Sequence, residues 1–174
     1  KTIHIVAVEN EVKELLWVIE KNYDKQIVIK TINFSKTKTE TFNFEFDLHK
    51  EPLFNFPKKY LYEPNSAIMK SGGFNEISLH YSLNKLHQHS HLYTSNELID
   101  FPGRIFEIEK IFEYSKKEMN IHLANKKAAW YQYSELQGNL LYGQENSYQN
   151  QKIPFRNPDV PQNDRQTLIV DPGP

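Results

Sequence analysis

Between residues 2 and 8 the apolar Ile3, Ile5 and Ala7 alternate with other residues, while Val6 and Val8 fill the second face. That pattern predicts a strand buried on both sides. Asn10 stands where a helix N-cap is wanted, with Glu9 and Glu11 beside the positive helix end. Val12, Leu15, Leu16 and Ile19 follow at helical spacing, with Lys13, Glu14 and Glu20 on the outer face, so a helix is predicted after Asn10. Two further strands are predicted at 27–34 and 41–48. In the latter, Phe42, Phe44 and Phe46 alternate with Thr41, Asn43, Glu45 and Asp47, the mark of a sheet with one wet face.

Pro52 and Pro57 interrupt the periodicity, so residues 50–59 read as a connection. A second unit starts at Tyr60-Leu61-Tyr62-Glu63-Pro64-Asn65, where Asn65 is placed to cap a helix through Ala67, Ile68 and Met69. Gly72-Gly73 breaks or kinks that helix, and helical spacing resumes over 74–83. Residues 87–95 look like a loop with one short strand. Residues 104–114 are β-rich, and Ser115 is placed to cap a further helix. Strand, helix, strand, strand over residues 1–50 forms part of a ferredoxin-like layer. The expected class is α+β: this layer, a second α+β unit over 58–127, and a tail.

Past Lys127 the character changes. Residues 128–174 hold 12 Asn and Gln in 47 positions, whereas the preceding 127 residues hold 13. Five of the nine prolines and none of the seven histidines lie there. Such a segment buries too little apolar surface to offset its ordering entropy. The tail over 128–174 is therefore expected to be irregular and largely extended, either disordered or borrowed from a larger fold.

Composition narrows the function classes. The chain has 174 residues, 39% apolar and 25% charged, within the range of one domain or two small ones. A net charge of −1 argues against a polyanion grip by bulk charge, since phosphate neutralisation needs a local excess of Lys and Arg. The absence of cysteine removes disulfides, thiolate metal sites and a cysteine nucleophile, and fits a reducing, cytoplasmic setting. No apolar run approaches the roughly 20 residues of a membrane-spanning helix. Lys1 with no leader pattern after it reads as a cut end.

Three candidate clusters emerge. His87, His89 and His91 would share one face of an extended segment, but no carboxylate or fourth ligand lies at a telling distance, so solvated loop histidines are expected rather than a metal site. Tyr60, Tyr62, Tyr93 and Phe101, with Lys58, Lys59, Lys70 and Lys85, form an aromatic and basic set of the kind that stacks bases and meets phosphates. Taken singly, each is more simply a core aromatic or a surface lysine. Phe101-Pro102-Gly103-Arg104 is a turn that delivers Arg104 to a strand start, where an arginine can meet a phosphate. Arg104, the lysines, Tyr62, Tyr93, His87 and His91 are thus the tentative RNA-binding residues. No phosphate loop, Ser/His/Asp set or paired carboxylates are recognisable, so no complete active site is expected.

Two family resemblances rest on these segments. Ile5-Val6-Ala7-Val8-Glu9-Asn10-Glu11-Val12-Lys13-Glu14-Leu15-Leu16 resembles the small ferredoxin-like domain of a bacterial family of class I S-adenosylmethionine-dependent methyltransferases. Tyr60-Leu61-Tyr62-Glu63-Pro64-Asn65, Lys85-Leu86-His87, Ser90-His91-Leu92-Tyr93-Thr94-Ser95 and Phe101-Pro102-Gly103-Arg104 resemble the THUMP-like domain that follows it. The resemblance implies an accessory, RNA-recognising region. It also implies a parent protein whose preceding methyltransferase domain, and with it S-adenosylmethionine, lies outside this chain.

From His122-Leu123-Ala124-Asn125-Lys126-Lys127-Ala128 onward, through Ala129-Trp130-Tyr131, Pro154-Phe155-Arg156-Asn157-Pro158, Asp164-Arg165-Gln166 and Leu168-Ile169-Val170-Asp171-Pro172-Gly173-Pro174, the chain resembles the N-terminal region of lysine ε-oxidase-like quinoproteins. Those use cysteine tryptophylquinone, whose Cys and Trp lie far downstream in that family, so oxidase activity does not carry over. The overlap at 122–128 is where an erroneous join of two genes would fall, so a chimera is expected, with a genuine gene fusion as the alternative.

Overall fold

The computed structural model describes residues 1–46, 50–113, 117, 121, 129–134, 140–144 and 165–171. The first four strands are β1 (Thr2–Val8), β2 (Glu11–Val18), β3 (Val28–Phe34) and β4 (Thr39–Glu45). They make a sheet in the order β2-β1-β3-β4, with β1 and β3 parallel and two antiparallel hairpins flanking them. The fold is mixed α+β with strands predominating, as the patterning predicts.

The helix expected after Asn10 is a strand. Val8 pairs with Glu11, and the two residues between them, Glu9 and Asn10, have φ of 51° and 59°. This is a two-residue hairpin turn with both residues in the left-handed region, a geometry whose twist matches the right-handed twist of the strands, and Asn is well suited to it. The physical reason for the misreading is that Val12, Leu15, Leu16 and Ile19 fit a short apolar run of either kind, which periodicity alone does not separate. Asn10 does serve a helix, though not its own. Its Oδ1 accepts from the Ser66 backbone N–H at 2.7 Å, while its own N–H donates to Asn33 Oδ1 at 3.1 Å.

Two-sided burial of β1 is also not what the structure has. Ile5 and Ala7 are buried, the opposite face is half-buried, and Val8 is exposed. Along β2 only Val12 is even half-buried, and Trp17 is 63% exposed.

The second sheet contains β5 (Tyr60–Pro64), β6 (Asn84–Lys85), β7 (Tyr93–Ser95), β8 (Gly103–Glu113), β9 (Ala129–Ser134), β10 (Leu140–Gln144) and β11 (Arg165–Asp171), in the order β10-β9-β11-β8-β5-β7-β6. Two short helices separate β5 from β6. α1 (Ser66–Ser71) is capped by Asn65, whose side chain accepts from Ile68 N at 3.1 Å, and it ends on Gly72 at φ 74°. α2 (Phe74–His80) follows at once, so the Gly72-Gly73 break falls where the sequence places it.

One continuous core joins the two sheets. Ile5, Ile29, Phe42 and Phe44 of the first sheet meet Ala67, Ile68 and Ile77 of the helices, which in turn pack on Tyr62, Tyr93 and Phe101. A buried polar cluster runs alongside. Glu40 accepts from Asn33 Nδ2 at 3.1 Å and Asn65 Nδ2 at 2.9 Å, and pairs with Lys38 Nζ at 2.7 Å.

The tail is extended in its described parts. β9 and β11 add antiparallel strands beyond β8, and β10 closes the edge. Ladder hydrogen bonds use backbone groups common to all residues, so a segment poor in apolar periodicity can still extend a sheet. Of the helix expected after Ser115, Lys117 and Ile121 are described and are helical, and the rest lies outside the described residues.

Candidate functional site

Arg104 sits where the turn predicts, as the second residue of β8. Gly103 before it has φ 156°, and a Cβ there would stand 2.1 Å from Glu63 O, so β8 can lie this close to β5 only through a glycine. The register places Arg104 opposite Glu63, and their side chains form an ion pair in which the Arg104 side chain is 47% exposed. Its guanidinium also lies 5.6 Å from the Phe106 ring centroid. Lys59 reaches Glu107 at 3.6 Å, with its own side chain 55% exposed. These two cations flank the β5–β8 ladder, each held by a carboxylate.

The remaining basic residues do not join them. Lys70 is exposed in the last turn of α1. Lys58 donates to Asn84 Oδ1 at 2.7 Å, across to β6. Lys85 is buried beneath α2, donating to Gln88 O at 3.1 Å, and burial lowers its ammonium pKa.

The aromatic half of the expected set is core. Tyr62 and Tyr93 are fully buried, with Phe101 packed against both. Tyr62 donates its hydroxyl to Glu97 O, and Tyr93 donates to Phe74 O at 2.8 Å. Burial, then the Glu76 carboxylate, push the Tyr93 phenol well above its ordinary range. Rings inside a packed core are not free to stack on bases, so the reading of Tyr62 and Tyr93 as base-stacking residues is corrected to packing.

The histidines do not share a face. Ser90 N–H donates to His87 O at 3.1 Å, so the segment turns as a loop does and lacks the extended form that would align the three rings. His87 and His89 lie 5.5 Å apart, whereas His91 stacks on Phe74 at 3.7 Å. Among the described residues, no three His, Cys, Asp or Glu gather as a metal site would require.

His91 Nδ1 is buried without a hydrogen-bond partner. Burial, followed by the nearby Lys85 charge, lowers its pKa from 6.5. A lowered histidine pKa means the unfolded chain takes up the proton first, so stability is lost as pH falls below 6.5 through the folded value. His91→Phe is expected to shrink that acid loss and to leave neutral-pH stability unchanged or raised by about 1 kcal/mol. His87, lowered in the same sense by burial, retains part of the slope. Urea denaturation between pH 5 and 8 measures both effects, and an unchanged slope counts against this role for His91.

The sequence reading passed over a second feature, an open cavity of about 390 Å³ between β4 and α2. Phe42, Phe44 and Leu79 give it apolar walls, and Glu76, Glu45, Lys50 and His80 bring charge or polarity. The one signal for it was an acid at position 76 beside the apolar Ile77 of a helix that packs inward. Periodicity treats such a residue as a helix-end carboxylate.

With the geometry described, comparison with known proteins divides the chain. Residues 60–102 match a family model described as a ferredoxin-like domain. Residues 102–174 match one described as the N-terminal region of L-lysine ε-oxidase. The chain is similar to two different families in succession. The first match falls on the segment whose motifs resemble a THUMP-like domain, and the two matches meet at Pro102, just ahead of β8.

The crystal structure of a proposed methyltransferase from Porphyromonas gingivalis W83 is similar over 72% of this chain at 31% identity, with a TM-score of 0.63. The L-lysine 6-oxidase of Marinomonas mediterranea is 55% identical over 58 residues, 33% of this chain. The chain spans 34% of the first protein and 8% of the second. β8 is the strand on which the two similarities join, since it pairs with β5 on one side and β11 on the other. Among the described residues no helix is long and apolar enough to cross a membrane.

Proposed function

We propose that residues 1–127 are a non-catalytic accessory module of an S-adenosylmethionine-dependent methyltransferase, and that this module, THUMP-like in role, contacts RNA. The observation that carries the methyltransferase part is the structural likeness to one third of the Porphyromonas protein. The cofactor and the reaction belong to the portion of such a protein that this chain does not span. RNA contact is supported by Lys59 and Arg104, which flank one ladder with exposed heads. Their carboxylate partners hold each side chain in place, and an incoming phosphate can take over the pairing.

Filter binding of a single-stranded RNA across a salt series tests this reading. Double substitution Lys59→Ala with Arg104→Ala is expected to weaken binding and to flatten the log–log salt slope by about 1.4, for two phosphates at roughly 0.7 each. Binding that is absent, or insensitive to salt, counts against it.

A second reading rests on the 102–174 match: this part is the N-terminal piece of an oxidase-like quinoprotein. The genomic reading frame on both sides separates the two. An upstream methyl-donor domain favours the first, and a downstream Cys and Trp in frame favour the second.

A further inference from the structure

Glu76 is 8% exposed, and among the described residues no hydrogen bond or ion pair reaches its carboxylate. The carboxylate lines the cavity between β4 and α2, and Glu45 stands exposed on the same lining. Lys50 lines it too, yet among the described residues it forms no ion pair with either acid. The cavity therefore presents a carboxylate to which, among the described residues, no wall group hydrogen-bonds or pairs.

The rest of the lining selects among cations. A metal ion needs three or more converging donors, and no such group forms among the described residues. Phe42 and Phe44 instead stack at 5.3 Å, His80 stands edge-on to Phe42 at 5.4 Å, and Leu79 completes an apolar wall. Aromatic and aliphatic walls suit a cation that carries a hydrocarbon body, and ring faces attract its charge. A cavity of about 390 Å³ holds one small molecule. We propose that the cavity between β4 and α2 binds a small primary organic amine in its ammonium form, with Glu76 accepting its N–H groups and Phe42, Phe44 and Leu79 taking its carbon skeleton. This site is independent of the RNA reading.

Titration of the full chain with benzylamine at neutral pH, followed by NMR shifts at Glu76, Leu79 and His80, tests the proposal. Saturable binding is expected, with benzyl alcohol, the uncharged counterpart, about tenfold weaker. Glu76→Gln keeps the shape and removes the charge. It is expected to weaken benzylamine about tenfold while melting at or above the wild-type temperature. No saturable binding, equal binding of the alcohol, or undiminished binding by Glu76→Gln each overturns the proposal. Should Glu76→Gln not fold, Leu79→Lys places a tethered ammonium at an exposed position of the lining. It is expected to block benzylamine, and undiminished binding there overturns the site equally.

Discussion

Replacing Gly103 by alanine is expected to destabilise the protein by about 3 kcal/mol or more, the largest effect of a methyl addition at Gly72, Gly73 or Gly103. The added Cβ would stand 2.1 Å from Glu63 O and 2.9 Å from both Asn65 N and Pro64 Cα. All three are backbone atoms, fixed by the β5–β8 ladder and by the Asn65 cap, so no side chain can rotate away. β8 would have to withdraw from β5, and with it the strand that links the two parts of the second sheet.

Gly72 and Gly73 set the scale. Gly72, at φ 74° with nothing within 4 Å of a Cβ, should lose only about 1 kcal/mol on change to alanine. Gly73→Ala meets the Phe44 ring at 2.5 Å, a side chain bordering the open cavity, and should fall between them. Urea denaturation of the three variants gives the order directly. A Gly103→Ala protein within about 1 kcal/mol of wild type would show that the strands separate freely.

Glu40→Ala is expected to cost about 3 kcal/mol, because it leaves two buried amides, Asn33 Nδ2 and Asn65 Nδ2, without an acceptor. The same carboxylate ties β4 to the cap of α1, so its loss should also loosen the helix against the first sheet. Burial, the strongest influence on Glu40, opposes ionisation. The donors on Lys38, Asn33 and Asn65 together outweigh it and hold the carboxyl below its ordinary 4.5.

A folded-state value below the unfolded one gives stability that is present above pH 4.5 and lost as pH falls through the folded value. Wild type should therefore weaken in that acid window, and Glu40→Ala should weaken less. Denaturation midpoints at pH 3 to 7 for both proteins decide this. Parallel pH profiles would remove Glu40 from the account of acid lability.

Much of the fold was legible before any coordinates. β4 is set by alternation that only a one-sided sheet satisfies, and the Asn65 cap and Gly72 stop are local chemistry that needs no tertiary partner. Arg104 at the head of β8 was likewise readable from Pro102-Gly103. The stretch after Asn10 was not. Its apolar spacing serves helix and strand equally, and the choice was made by two left-handed residues and by pairing with β1, a partner whose side of the ladder is invisible in the segment itself. The cavity was hidden for a related reason, because Glu76 lies more than thirty residues from Phe42 and Phe44 and only packing brings them together.

The amino-acid sequence alone determined that β4 is a strand with one wet face, where two short helices start and where the first stops, and that the chain changes character along its length. Such features depend on neighbours within a few residues. Tertiary structure alone decided that Tyr62 and Tyr93 belong to the core, that His91 leaves its neighbours to stack on Phe74, and that Arg104 is answered by Glu63. It also decided that Glu76 faces a cavity without a partner. Each of these depends on strand register and on which face a neighbouring element covers, and both are settled by contacts distant in sequence.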